Sequence, residues 1–324
     1  MRICVIGAGA MGSSYGGLLK ASGHEVALVD RWREHVEAIG KSGLHLEGVR
    51  GEHRLKIAAG TEPPAGFAAD VAMIWTDSNN TAAAAETARA ALAPGGFAIT
   101  MQNGVGNVET LIATLGKARV AGGSSMCSAA MRAPGHAALT HMGTTSVGEV
   151  GGGSSARVDA LVAALTGAGF EVRSHADIMS LIWTKFALNC SINAICATTG
   201  LRLGELARLP ATDRLQDLVI DEVLAVTKAR GTTLTDPDFR NTVKSHCWKK
   251  FSRPSMLQAI DAGKRTEVDA LNMKIVEEGK RLGVPLPLTS VAHQLCMATS
   301  AAGRGGEDLA AVITTLEYLA GIRS

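Results

Sequence analysis

The chain has 324 residues, enough for two domains with sizeable cores. Its 32 lysines and arginines against 30 aspartates and glutamates leave a formal charge of +2. That balance, with few aromatics and none interleaved with basic runs, argues against a nucleic-acid-binding surface. Six scattered cysteines without C-x-x-C spacing read as reduced core residues. A first strand that begins at Arg2 leaves no room for a signal peptide, and no run reads as an 18-residue membrane span. A cytoplasmic protein without membrane attachment is the expectation. The nine histidines lack H-x-x-x-H or H-E-x-x-H spacing, so no metal site is expected.

In chain order, a strand from Arg2 to Ile6 runs into Gly7, Ala8, Gly9, Ala10, Met11 and Gly12, then a helix through Lys20 and a strand over Glu25 to Val29. The G-x-G-x-x-G spacing has a physical reading. Gly7 makes the tight turn, Gly9 lets a pyrophosphate reach the backbone, and Gly12 lets helix and strand pack closely with the helix N-terminus at the phosphates. Asp30 closes the second strand 18 residues after Gly12, where a ribose contact belongs, and the segment predicts dinucleotide binding.

A helix over Arg33 to Lys41, a hairpin around Gly48 to Gly51, a strand at Val71 to Trp75, an alanine-rich helix at Thr81 to Leu92 and a strand at Phe97 to Thr100 follow. This alternation predicts a parallel sheet with helices on both faces. Gln102, Asn103 and Gly104 then fall at the carboxyl edge of the sheet, where Asn103 suits a ligand contact or a turn. Glycine-punctuated β segments occupy Arg119 to Val150, and a helix and strand within Ala156 to Val172 complete the first domain. Beyond His175 the sequence is helix-compatible, with stops or breaks at Gly204, Gly231, Gly283 and Pro285. The expected class is α/β: a Rossmann-type doubly wound sheet over residues 1–175, then an all-helical substrate and dimerisation domain over 176–324.

Within Ile182 to Cys196, Lys185, Asn189 and Asn193 recur every four residues among Trp183, Phe186, Leu188, Ile192 and Ile195. On a helix they drift only about 40° per step and form one stripe along one face, which is expected to line a cavity. An ammonium and two carboxamides on an apolar surface fit either a small polar ligand or a buried ion pair. Beside a nicotinamide, Lys185 could give charge and proton to a developing alkoxide, and the asparagines could hold a carboxylate and hydroxyl. Ser255, Glu267 and Asn272 add candidates further on. Glu267 fits either a ligand-positioning role or a first-turn helix charge.

Together, Gly7 to Gly12 (GAGAMG), Gln102 to Gly106 (QNGVG), Trp183 to Asn193 (WTKFALNCSIN), Ser255 to Gln258 (SMLQ) and Thr266 to Asn272 (TEVDALN) resemble the ketopantoate reductase (2-dehydropantoate 2-reductase) family along essentially the whole chain. The resemblance implies reduction of a small 2-oxo acid by NADPH. It implies that Lys185 is the general acid, that Glu267 positions ligand, and that Asn103, Asn189, Asn193 and Ser255 hold substrate or cofactor. A homodimer is also expected.

Three departures stand out. Trp75, Thr76, Asp77 and Ser78 replace a stretch where the family commonly carries a lysine, and Met273 follows Asn272 where glycine is frequent. Arg31 occupies the family's 2′-phosphate arginine position, but Asp30 precedes it. A carboxylate there favours a free ribose hydroxyl, so the cofactor expectation is NADP(H) or NAD(H). The Val29 to Leu44 region resembles, in this respect, a branch acting on mandelate-type 2-hydroxy acids. The alternatives are that related dehydrogenase, a 3-hydroxy acid dehydrogenase, against which SMLQ and TEVD argue, and a dinucleotide-binding sensor without turnover.

Overall fold

The computed structural model describes residues 1–302. They fall into two compact units, Met1–Ile182 and the helices from Trp183 onward.

The first unit runs β1 (Arg2–Ile6), α1 (Ala10–Ala21), β2 (Glu25–Val29), α2 (Arg33–Ser42), β3 (Leu44–Gly48), β4 (His53–Leu55), β5 (Ala58–Gly60), β6 (Ala69–Ile74), α3 (Thr81–Ala91), β7 (Leu92–Thr100), α4 (Asn107–Leu115), β8 (Val120–Ser125), β9 (Ser128–Ala133), β10 (His136–His141), β11 (Thr145–Glu149), α5 (Ala156–Gly167) and β12 (Val172–Ser174). Eight strands form one sheet in the order β12-β11-β8-β7-β6-β1-β2-β5. All neighbours are parallel except β11 against β8. The chain leaves β1 for β2 on one side and later returns to β6 on the other, so the topological switch point lies between β1 and β6. Fully buried Ile3, Val5, Leu28, Met73 and Ile99 form the sheet's core.

The glycine-punctuated region does not stay in one sheet. β8 and β11 join the large sheet, whereas β9 and β10 pair with β3 and β4 in a second, four-stranded sheet of order β4-β3-β10-β9. Helix α1 packs against strands of both sheets. A methyl group at Gly16 would meet Leu28 at 2.6 Å, and one at Gly17 would meet Leu46 at 3.0 Å. Two glycines inside a helix cost roughly 1 kcal/mol each. Here they allow strands of both sheets to approach α1 on two neighbouring faces.

The second unit contains most of α6 (Ile178–Cys190), then α7 (Asn193–Thr199), α8 (Leu203–Leu206), α9 (Pro210–Arg230), α10 (Phe239–Lys249), α11 (Ser255–Asp261), α12 (Lys274–Leu282) and α13 (Pro287–Ala302), with a π-helical turn over Asp269–Met273 before α12. Arg230 binds this helical stack in two ways, lying 4.2 Å from the Trp183 ring centroid and pairing with Glu278 at 3.0 Å.

The structure corrects the continuous helix expected over Ile182 to Cys196. The helix stops at Cys190, Ile192 takes φ −131° and ψ −52°, and a new helix starts at Asn193. Two bonds favour the break. Ser191 Oγ donates back to Ala187 O at 2.8 Å, and the Asn272 amide reaches Cys190 O at 3.4 Å from 82 residues away. The membrane-span expectation also needs correction. Ile178–Thr199, 22 residues with mean hydropathy 1.2, is long and apolar enough by length and composition alone. With 61 % of its most apolar window buried in the protein, it has the character of a core segment, and its case for a membrane is weak. Among the cysteines, all six are free and five are buried, and burial pushes the Cys4 thiol up to about 12.

Candidate active site

The glycine turn sits at the switch point. Gly7 has φ +93°, and its N–H donates to Val29 O at 2.8 Å. A Cβ there would come within 2.5 Å of Thr76 N, the start of the loop after β6. A Cβ on Gly12 would sit 2.0 Å from Gly7 O, so this position closes the turn against the helix. Gly9 differs from both. Nothing lies within 4 Å of where its Cβ would stand, and no side chain caps the N-terminus of α1. The open cradle and free helix terminus fit the pyrophosphate of a dinucleotide.

Beside the turn is a cavity of about 230 Å³, lined by Gly7, Gly9, Val29, Asp30, Arg31 and Thr61 on one side and by Trp75, Thr76, Asp77, Asn80, Ala83, Ala84 and Thr87 on the other. The structure thus places Gly7, Gly9, Asp30 and Arg31 on the wall of one cavity. Ala8 is fully buried, and Ala10 and Met11 open α1. Asp30 Oδ1 accepts the Trp32 N–H at 2.9 Å, which fixes the carboxylate at the end of β2. Thr61, Asn80 and Thr87 were not legible as lining residues, because no local motif marks them.

Asn103 lies in the loop after β7, outside the lining of that cavity. Its carbonyl accepts from Ser78 Oγ at 2.9 Å and from Asn107 Nδ2 at 3.0 Å. Gln102 ties this loop to its neighbour, its amide donating to Thr76 O at 2.8 Å and Thr81 Oγ1 at 3.0 Å. Beneath the turn, fully buried Tyr15 stacks on Phe170 at 4.0 Å and shares hydrogen bonds with Ser125 and Thr145. Burial raises its phenol far above the ordinary range.

In the helical unit, Lys185 and Asn189 keep their four-residue spacing on α6, and both are half-buried among buried Trp183, Phe186 and Ala187. Asn193 is buried and opens the next helix, just past the two-residue turn at Ser191 and Ile192. Ser255 is exposed at the first position of α11, and half-buried Glu267 precedes the π-helical turn. Asn272 is fully buried in that turn, and its Oδ1 meets no protein donor among the described residues.

A parallel sheet with an open glycine turn at its switch point, followed by a helical unit, defines the class of two-domain dinucleotide-dependent oxidoreductases. The profile described as ketopantoate reductase PanE/ApbA matches residues 3–152, and its C-terminal counterpart matches residues 177–300. The chain belongs to the ketopantoate reductase family. It is 32 % identical to a 2-dehydropantoate 2-reductase of Archaeoglobus fulgidus over 87 % of this chain and 92 % of that one. It is 30 % identical to one of Pyrococcus horikoshii over 95 % of this chain and 100 % of that one. Among solved structures, a PanE/ApbA family ketopantoate reductase from Ralstonia eutropha superposes with a TM-score of 0.85 at 32 % identity, covering 94 % of this chain and 99 % of that one. The same fold recurs in D-mandelate dehydrogenase with NADH and anilino(oxo)acetate, at TM-score 0.84 and 24 % identity over 94 % and 99 % of the two chains.

Proposed function

We propose that the chain reduces a 2-oxo acid to the corresponding 2-hydroxy acid with a nicotinamide dinucleotide, with ketopantoate as the first substrate to test. The observation that carries this reading is full-length likeness to curated 2-dehydropantoate 2-reductases, with 100 % of the Pyrococcus horikoshii chain covered. The open Gly9 cradle supports the cofactor part.

In this reading the bound nicotinamide supplies the hydride. Lys185 donates a hydrogen bond to the substrate carbonyl oxygen and gives up its proton as charge develops there. An ammonium in a water-poor site stabilises such an oxyanion by several kcal/mol, roughly 3 or more. Asn189, Asn193 and Ser255 hold the carboxylate and hydroxyl groups, Asn103 contacts substrate or cofactor, and Glu267 fixes ligand and orients Lys185. Lys185→Ala is expected to lower kcat by about three orders of magnitude with dinucleotide affinity unchanged. An equal loss of binding and turnover contradicts the general-acid role.

Asp30 favours a second reading, an NADH-dependent enzyme for another 2-oxo acid. A carboxylate lining the cavity pairs with free ribose hydroxyls and repels a 2′-phosphate, and Asp77 adds acidity on the opposite wall. Initial rates with NADH and NADPH against ketopantoate, benzoylformate and branched 2-oxo acids separate the two. The first reading expects NADPH with ketopantoate to dominate. The absence of turnover with every acid, despite dinucleotide binding, contradicts both. The proposal includes a cytoplasmic homodimer, with the oligomeric state tested by light scattering.

A further inference from the structure

We propose that the second sheet carries a transition-metal site, suited to Zn²⁺, formed by His45, Glu47 and His136. The three residues each offer one donor atom, and these atoms all lie within 4.8 Å of one another. His45 and Glu47 are two apart on β3, so they share one face of the strand, and His136 stands directly opposite His45 on the parallel strand β10. This register is locked. Gly48 has φ +119°, and any Cβ there would lie 2.1 Å from Leu139 O across the ladder, so backbone contact holds the histidines opposite each other.

The donor set is two imidazoles and a carboxylate, which leaves a fourth tetrahedral position for water. His136 Nε2 is within 3.1 Å of Glu47 Oε2, yet it is buried and makes no hydrogen bond of good geometry. A cation between the two atoms would satisfy both. Glu47 Oε1 accepts from Arg132 Nε at 3.1 Å, which leaves Oε2 as the ligand atom and makes Arg132 the outer partner that orients it. His45 Nε2 lies 2.9 Å from Glu52 Oε1, and Glu52 also faces Arg54, so a second carboxylate supports the other ring. The imidazoles stack at 3.8 Å with 14° between their planes, so their ring nitrogens lie in two nearly parallel planes that one ion cannot share. Ligation therefore turns one ring about its Cβ–Cγ bond, a broad and inexpensive torsion.

The bound ion would clip together two hairpins that meet through the β3/β10 ladder. Sequence spacing could not reveal this site, since the second histidine comes from a hairpin about ninety residues later.

Isothermal titration of untagged protein with Zn²⁺ alone, after chelation and buffer exchange, tests the proposal. The expected result is one ion per chain with roughly micromolar affinity. His45→Asn, His136→Asn and Glu47→Gln should each weaken binding at least about tenfold, with far-ultraviolet circular dichroism confirming the fold. Saturating Zn²⁺ should raise the wild-type Tm by a few degrees (~2–5 °C), and this shift should vanish in the variants. No binding at up to about 100-fold above micromolar concentration, or binding that survives in the folded variants, overturns the site.

Discussion

The three glycines of the turn make different demands, and substitution by alanine separates them. Gly9 has an ordinary φ of −60° and open space where a Cβ would go. Gly9→Ala should therefore fold with a stability within about 0.5 kcal/mol of wild type. The methyl group would enter the open space proposed to cradle the phosphates, so dinucleotide affinity should fall by about tenfold or more, ~1.4 kcal/mol, as read by fluorescence titration. Gly12→Ala reverses this pattern. Its Cβ would collide with Gly7 O, and a loss of roughly 2 kcal/mol or more in denaturant unfolding is expected. Equal effects at the two positions contradict the division of labour. Asp30 gives a third test at this scale. Asp30→Ser removes the charge that opposes a 2′-phosphate and should shift the NADH to NADPH preference toward NADPH by at least about tenfold in kcat/KM.

At the scale of elements, helix ends set much of the second unit. Glu222 on α9 accepts the backbone N–H groups of Leu288 and Thr289, each at 2.8 Å, and the Thr289 hydroxyl at 2.6 Å. One carboxylate thereby satisfies the start of α13 and ties it to α9. Burial raises the Glu222 carboxyl pKa, while the three hydrogen bonds oppose that shift. Glu222→Ala should cost about 2 kcal/mol in chemical denaturation, because it strands two N–H groups and a hydroxyl that water reaches poorly. Such long-range caps explain which elements were legible. The first βαβ unit, α3 and the end of β7 at Thr100 are coded locally by glycine and alanine spacing, whereas β7 starts at Leu92, ahead of the expected Phe97. The break after Cys190 is not, since a distant Asn272 helps to set it, and periodicity alone read through it. The second sheet was hidden for a similar reason. Its two hairpins look like ordinary β segments, and only their mutual pairing makes a separate layer. Of the candidate site residues, the glycine turn and Asp30 were legible because the chain brings them together within one local unit. The opposite cavity wall comes from the loop after β6 and from α3, whose role depends on topology.

For the whole molecule, acid sensitivity follows from how its titratable groups are placed. His35, on α2, is fully buried. The Gly135 N–H donates to its Nδ1 at 2.9 Å, which places the proton on Nε2, and Nε2 lies 3.3 Å from Ser13 Oγ. Ser13 Oγ in turn donates to Ala8 O at 2.6 Å, inside the glycine turn. Only the neutral ring satisfies this chain, and desolvation lowers the His35 pKa, as it lowers those of His24 and His246. The sign is then set. The unfolded chain takes up protons on these rings near pH 6.5 while the folded chain resists, so stability is complete above about pH 6.5 and declines as pH falls toward the depressed folded values. Glu149, held low by Arg157, and Glu278, held low by Arg281, act in the same direction at lower pH, because the unfolded state binds their protons first. Glu222 alone among these groups opposes the trend, since its raised carboxyl is relieved by protonation. Thermal unfolding followed from pH 8 to pH 4 should show Tm level above about 7 and falling below about 6.5. His35→Asn retains an acceptor for Gly135 but cannot charge, so its Tm should start lower and fall less steeply between about pH 6.5 and 5. An unchanged slope in that variant would assign the acid limb to other groups and remove His35 as the link between solution pH and the glycine turn.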